Sequence, residues 1–135
     1  TPEWAVFEAL FRLPKEQRPT AVLCVNDHTA MNVCRRLLQL GLQVPEDIEL
    51  TGFDDNCSVL PNGVGLTTVA QPFEQIGSAA AEVFLRRYAS QGDNLLASRH
   101  IELPARLIIR GSTGESGVSA FLHKMRVAPK NVEID

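Results

Sequence analysis

Short apolar runs that alternate with segments of helical periodicity constrain the fold of this chain more than any other feature. The runs at residues 20–25 (TAVLCV) and 48–53 (IELTGF) have the length of strands, and residues 28–40 between them carry apolar side chains at helical spacing. A strand that is apolar along its whole length is typically covered on both faces, as in parallel sheets. The alternation therefore predicts an α/β fold with a mainly parallel sheet flanked by helices.

The rest of the chain extends this pattern. Further helices are predicted at residues 3–13 and 73–90, and further strands at residues 66–70, 99–103 and 106–110. Asp27 is expected to cap the start of the helix at 28–40, and Gly41 is expected to cap its end. Residues 56–65 and the segment from residue 111 onward, which begins GSTGESG, are predicted to be a loop and a linker.

Composition excludes several classes of protein. With 135 residues, 44% of them hydrophobic, the chain can bury a core, and its net charge of −3 argues against a surface that grips nucleic acid by itself. No apolar run is long enough to cross a bilayer and no signal-peptide pattern opens the chain, so we expect a cytoplasmic location and no membrane partner. The start at Thr1, without Met, suggests a fragment or a processed form.

The cysteine and histidine pattern gives no sign of a cofactor. The cysteines, Cys24, Cys34 and Cys57, are odd in number and form no Cys-x-x-Cys motif, and the three histidines are scattered. This pattern fits a reducing cytosol and makes a structural metal site improbable on chemical grounds. We expect neither a metal nor a cofactor, with Cys24 and Cys34 in the core.

Polar residues follow three of the predicted strands. Asn26, Asp54 and Gln71 each stand where a strand ends, and ligands of open parallel sheets bind beyond the carboxyl ends of the strands. A carboxylate accepts two hydroxyl protons and an amide both donates and accepts, so this set suits a neutral polyhydroxylated ligand. The alternative is that these side chains only cap helices or form turns, and spacing alone favours that alternative.

Catalytic motifs are missing from the sequence. It contains no G-x-S-x-G, no P-loop and no G-x-G-x-x-G. The pair Asp54 and Asp55 is adjacent in sequence, so the two carboxylates should point in different directions, and no nucleophile stands beside a base. We therefore expect a protein that is not an enzyme.

Four runs of the sequence resemble successive blocks of the LacI/GalR family of bacterial transcription regulators. They are RPTAVLCVNDHTAM, LGLQVPEDIELTGFDD, LTTVAQPFEQIGSAAAEVFL and LPARLIIRGST, and they follow in the family's order and spacing. The resemblance implies a periplasmic-binding-protein-like sensor, whose two α/β lobes hold a sugar or related small metabolite in a cleft. Residues 1–113 would be the C-terminal part of that sensor. Residues 1–69 would form the second lobe, 70–103 a crossing and first-lobe elements, 104–113 a crossing back, and 114–135 a linker or tail.

The same resemblance assigns roles to individual residues. The Asn of "ND", the first Asp of "GFDD" and the Gln of "TTV-x-Q" would contact the effector, and they correspond to Asn26, Asp54 and Gln71. These are the three residues that the strand ends indicate independently. Asp27 and Asp55 would have capping and turn roles.

The resemblance also implies partners. The family usually forms homodimers through the helix after "ND" and the loop after "GFDD", which makes Met31, Asn32, Arg35 and Cys57 candidates, unless they merely pack within the lobe. DNA would be reached only through an N-terminal helix-turn-helix that these residues do not include. The implied function is effector binding and allosteric control of operator binding, and the alternative is a fragment of a periplasmic sugar-binding protein of the same fold.

Overall fold

The structure, a computed structural model, describes residues 2–89, 100–114 and 132–134. In these ranges the helices are α1 (Pro2–Phe11), α2 (Asp27–Gln39) and α3 (Phe73–Ala89). The strands are β1 (Ala21–Leu23), β2 (Glu49–Thr51), β3 (Thr68–Ala70), β4 (Arg106–Ile109) and β5 (Val132–Ile134), and a short 3-10 turn covers Gly111–Thr113.

Parallel pairing dominates the sheets. β1 pairs with β2 in parallel, and the parallel bridges Thr51–Thr67 and Asp54–Ala70 place β3 beside β2. β4 pairs antiparallel with β3 and parallel with β5. The prediction of a mainly parallel sheet with helices is confirmed, with β3–β4 as the antiparallel exception.

The core lies between α2 and the chain around β2. The inward face of α2 is completely buried at Ala30, Cys34 and Leu37, and it meets Ile48 and Leu50 of the β2 segment. Covering a leucine side chain fully contributes about 1.5–3 kcal/mol. The apolar side chains at helical spacing in residues 28–40 therefore form one side of this core.

Both ends of α2 have well-defined caps. Gly41 has a φ of +78°, and the N–H of Leu42 donates to the carbonyl of Leu37 at 2.9 Å, which confirms the predicted glycine cap. At the start, the prediction for Asp27 is wrong. The cap is Asn26, whose backbone is extended and whose side-chain Oδ1 accepts the N–H of Thr29 at 2.8 Å. Asp27 is the first residue of α2, and its carboxylate does not cap the helix.

β1 differs from its prediction in length and burial. It ends at Leu23, and the side chains of Leu23 and Val25 are 83% and 78% exposed. The expectation that this strand is covered on both faces is wrong for the described chain. α2 and the core cover one side of the strand, while no described element covers the side where Leu23 lies.

Two further predictions fail near the end of the chain. Residues 100–103 form no strand and are largely exposed, because no neighbouring strand pairs with them; residue 99 of that prediction lies outside the described residues. Ser112 is fully buried, although a linker was expected from residue 111. Residues 132–134 form β5 rather than part of a linker, and residues 115–131 of the expected tail lie outside the described residues.

Candidate binding site at the strand ends

Backbone hydrogen bonds join the carboxyl ends of β1, β2 and β3 side by side. The N–H of Asp27, beyond β1, donates to the carbonyl of Phe53 at 2.9 Å. The N–H of Asp54, beyond β2, donates in turn to the carbonyl of Val69 in β3 at 2.9 Å. The three strand ends therefore form one edge, in the order that a ligand site beyond a parallel sheet requires.

Two of the three predicted site residues contact each other directly. The side-chain Nε2 of Gln71 donates to Oδ1 of Asp54 at 2.5 Å. Asn26 lies at the neighbouring strand end, but its Oδ1 is occupied by the N–H of Thr29. Within the described part of the chain its amide Nδ2 has no hydrogen-bond partner. Capping of α2 therefore occupies Oδ1 of Asn26, and its amide Nδ2 remains available for other contacts.

A cavity of about 580 Å³ opens next to this edge. Gln71 lines it together with the first turn of α3, and Pro104 and Arg106 close the other side. Neither Asn26 nor Asp54 is part of its lining. The structure therefore has a cavity beside Gln71, and it does not place all three predicted site residues around that cavity.

The backbone at the end of β2 separates two neighbouring carboxylates. Asp54 and Asp55 have φ values of +100° and +57°, which residues other than glycine seldom adopt and which cost on the order of 1–3 kcal/mol each. Asp54 reaches Gln71, whereas Asp55 accepts a hydrogen bond from Nη1 of Arg110 at 2.8 Å. The expectation that these carboxylates point in different directions is confirmed, because each has a different partner.

A fully buried carboxylate lies at this edge, at a residue for which the sequence predicted only a capping role. The side chain of Asp27 is completely buried. Its Oδ2 accepts the N–H groups of Asn56 and Cys57 at 2.8 and 3.1 Å, and its Oδ1 accepts the hydroxyl of Thr68 at 2.6 Å. A signal was present at Gly52, since a glycine at a strand end often marks the close approach of another group. A Cβ there would lie 2.2 Å from Oδ1 of Asp27.

A second hydrogen-bond network fixes the segment after β4. The hydroxyl of Ser112 accepts the N–H of Thr67 at 2.8 Å and donates to the carbonyl of Leu50 at 2.6 Å. The hydroxyl of Thr67 accepts the N–H of Arg110 at 2.9 Å. These contacts explain why Ser112 is buried, and they hold the end of β4 against β2 and β3.

Burial makes the thiols of Cys24 and Cys34 poor nucleophiles. Burial raises the pKa of the Cys24 thiol to about 11, and it also raises the pKa of the Cys34 thiol. Cys34 lies in the core as predicted, and Cys24 packs against it while half-buried. A raised pKa keeps a thiol protonated and unreactive at neutral pH.

The candidate dimer residues lie on α2 and on the loop after β2. Met31 packs partly against the core, and Asn32 accepts a hydrogen bond from the exposed Arg35 at 3.0 Å. Cys57 is half-buried beside Asp27. Their role in a dimer stays a prediction.

Metal and membrane features are absent from the ranges that the structure describes. Residues 2–89, 100–114 and 132–134 contain no group of three or more metal-ligating side chains. None of the described helices combines the length and apolarity that crossing a membrane requires.

Comparisons with known proteins identify the family. The family model of the periplasmic binding protein-like domain matches residues 2–113. The arabinose metabolism transcriptional repressor of Geobacillus stearothermophilus is 37% identical over 102 residues, which cover 76% of this chain and 28% of the repressor. The chain thus spans less than a third of the length of the curated relatives.

Solved structures agree with this match. A LacI family transcriptional regulator from Lactobacillus casei with bound sucrose has a TM-score of 0.62 and 33% identity, covering 80% of this chain and 38% of that one. The lac repressor dimer bound to operator and the anti-inducer ONPF has a TM-score of 0.62 and 28% identity, covering 79% and 31%. These relatives are regulators, which favours a regulator over a periplasmic sugar-binding protein. The chain belongs to the periplasmic binding protein-like family, in the form that serves as the effector-sensing domain of LacI/GalR-type transcription regulators.

Proposed function

We propose that the chain binds a sugar or a related small metabolite and thereby controls the affinity of a LacI/GalR-type regulator for its operator. The observation that carries this proposal is the row of joined strand ends in which Gln71 donates to Asp54. The effector would be held by Asn26, Asp54 and Gln71. The solved relative with bound sucrose supports a sugar as the class of ligand.

The chemistry of the row suits a ligand with several hydroxyl groups. Asp54 has a second carboxylate oxygen beyond the one that Gln71 occupies, and a sugar hydroxyl donates to it. The Nδ2 of Asn26 donates to a second hydroxyl without disturbing the cap of α2. Hydrogen bonds to a charged group contribute about 1.5–3 kcal/mol each, so Asp54 is the strongest contact of the set.

The ligand acts by shifting a population. In the proposed mechanism, residues 1–69 belong to one lobe, residues 70–103 cross to the other lobe and pack there, and residues 104–113 cross back. A ligand that binds one arrangement of the lobes more tightly increases the population of that arrangement. DNA-binding domains outside this sequence follow that change, which couples the effector to the operator.

The remaining features of the proposal concern assembly and location. We place the protein in the cytoplasm as a homodimer, with Met31, Asn32, Arg35 and Cys57 at the subunit contact. The lac repressor relative, which is a dimer bound to operator, supports this arrangement. The chain itself has no catalytic role in the proposal, because its relatives are regulators.

Replacing Asp54 tests the site. In the regulator that contains this sequence, Asp54→Ala is expected to weaken sugar binding roughly ten- to a hundredfold, since about 1.4 kcal/mol corresponds to each factor of ten. Isothermal titration calorimetry with arabinose, ribose, glucose and sucrose measures the effect. The matched control is Glu16→Ala, which removes an exposed carboxylate before β1, at the other end of the sheet. Equal affinity of the Asp54→Ala protein and the wild type would remove Asp54 from the site.

A further inference from the structure

We propose that Asp27, which contacts no ligand in the mechanism above, is the positioning residue of the effector site. Its buried carboxylate holds the strand ends in register, so that the effector contacts on either side of it have a fixed geometry. This inference rests on the proposed function and adds a residue to it.

The place of Asp27 in the chain connects it to each part of the site. It directly follows Asn26, and its N–H donates to Phe53, the residue before Asp54. Its Oδ1 accepts a hydrogen bond from the hydroxyl of Thr68, which lies in the short strand β3, three residues before Gln71. One side chain and its own amide thus contact the segments that carry all three proposed effector residues.

The same carboxylate also orders the loop after β2. Oδ2 accepts two consecutive backbone N–H groups, those of Asn56 and Cys57. These amides follow directly after the two residues with positive φ, Asp54 and Asp55. A strained backbone persists only where its surroundings fix it, and here the two hydrogen bonds from the following residues supply that constraint.

A carboxylate suits this position because every hydrogen bond that it makes here is one that it accepts. The three groups that bind it, the N–H groups of Asn56 and Cys57 and the hydroxyl of Thr68, are all donors, and a carboxylate offers two acceptor oxygens. Its location in the first turn of α2 adds the favourable field of a helix N-terminus. The bare Cα of Gly52 leaves room for Oδ1 of Asp27. The packed residues around this carboxylate leave it completely buried.

The test changes one hydrogen bond and leaves Asp27 in place. Thr68→Val keeps the shape of the side chain and removes the hydroxyl that donates to Oδ1, whereas Thr68→Ser keeps the hydroxyl as a matched control. In the regulator that contains this sequence, sugar affinity is measured for whichever of arabinose, ribose, glucose and sucrose the wild type binds most tightly. We expect Thr68→Val to weaken binding roughly fivefold, which corresponds to about 1 kcal/mol, and Thr68→Ser to bind as the wild type does.

The affinities are compared at a temperature where circular dichroism shows each variant to be folded. A residue that only stabilises the fold would lower the melting temperature of the Thr68→Val protein and leave the sugar affinity of the folded fraction unchanged. That result, with normal sugar binding by the wild type, would overturn the role of Asp27 while the proposed function stands. Absence of binding by the wild type to all four sugars would instead count against the proposed function.

A second measurement needs no sugar. Amide hydrogen exchange in the 135-residue chain reports on the N–H groups of Asn56 and Cys57, which Asp27 holds. Asp27→Asn keeps the size of the side chain but replaces one acceptor oxygen with an NH₂ group. We expect at least one of the two amides to exchange faster in this variant, relative to core amides such as that of Leu37. Unchanged protection of both amides would contradict the assignment. If Asp27→Asn fails to fold, the Thr68→Val and Thr68→Ser pair still decides the question.

Discussion

A single missing side chain permits the central contact of this molecule. Gly52 has no Cβ, and an added one would lie 2.2 Å from Oδ1 of Asp27 and 3.0 Å from Leu66. The buried carboxylate occupies the space that any other residue would fill. At the scale of one residue, the site therefore depends on the absence of a side chain at position 52 as much as on the polar groups around it.

Gly52→Ala is expected to destabilise the fold by about 1–3 kcal/mol, because the methyl group overpacks a site in which the carboxylate cannot move without losing donors. Urea denaturation followed by circular dichroism measures the change. The matched control is Gly77→Ala in α3, where an added Cβ meets no atom within 4 Å. There the expected change is a gain of about 0.5–1 kcal/mol, because alanine favours a helix interior. A Gly52→Ala protein as stable as the wild type would show that Asp27 can shift.

At the scale of elements, α2 connects packing with binding. Its inner face forms the core through residues such as Leu37, while its first turn begins at the candidate site. The cap residue Asn26 and the buried Asp27 are neighbours at this turn, and the capping role predicted for Asp27 belongs to Asn26. The start of α2 and the candidate binding site therefore share one backbone segment.

Two substitutions separate the capping role of Asn26 from its proposed role in sugar binding. Asn26→Ala removes the cap and is expected to cost about 1 kcal/mol, whereas Asn26→Ser retains an oxygen for the N–H of Thr29 and is expected to keep wild-type stability. Thermal denaturation compares the two variants. Equal losses in both would show that Oδ1 does not cap α2. With the fold retained, the Ser variant lacks the amide, so a lower sugar affinity in it isolates the binding role.

At the scale of the whole molecule, several large apolar side chains are exposed within the part of the chain that the structure describes. An apolar cavity of about 490 Å³ is lined by residues that include Leu23, Phe53 and Leu107. α3 buries none of its residues, and Phe84 and Tyr88 stack on its exposed surface. Apolar patches of this kind favour association with other protein surfaces.

The 135-residue chain is therefore expected to form dimers or larger assemblies as its concentration rises. Light scattering coupled to size-exclusion chromatography measures the mass of the species in solution. Phe84→Ser is a probe for the surface of α3, and it is expected to shift the equilibrium towards monomer because it removes an exposed aromatic ring. A wild-type chain that stays monomeric at high concentration would contradict the expectation.

Local patterns determined which helices form and where they end. Helical periodicity predicted α1, α2 and α3 within a few residues, and Gly41 predicted the end of α2, because these depend on interactions between residues close in sequence. The rule that parallel strand ends meet at one edge also placed Asp54 and Gln71 together.

Contacts between distant parts of the chain decided the rest. Whether residues 100–103 join a sheet depends on a neighbour that lies elsewhere in the chain, and so does the exposure of Leu23. The buried state of Asp27 needs donors 29 to 41 positions further along the chain, at Asn56, Cys57 and Thr68. A carboxylate after a strand has the same local sequence whether it caps a helix or joins three segments, and only the packed chain brings it the partners that distinguish these roles.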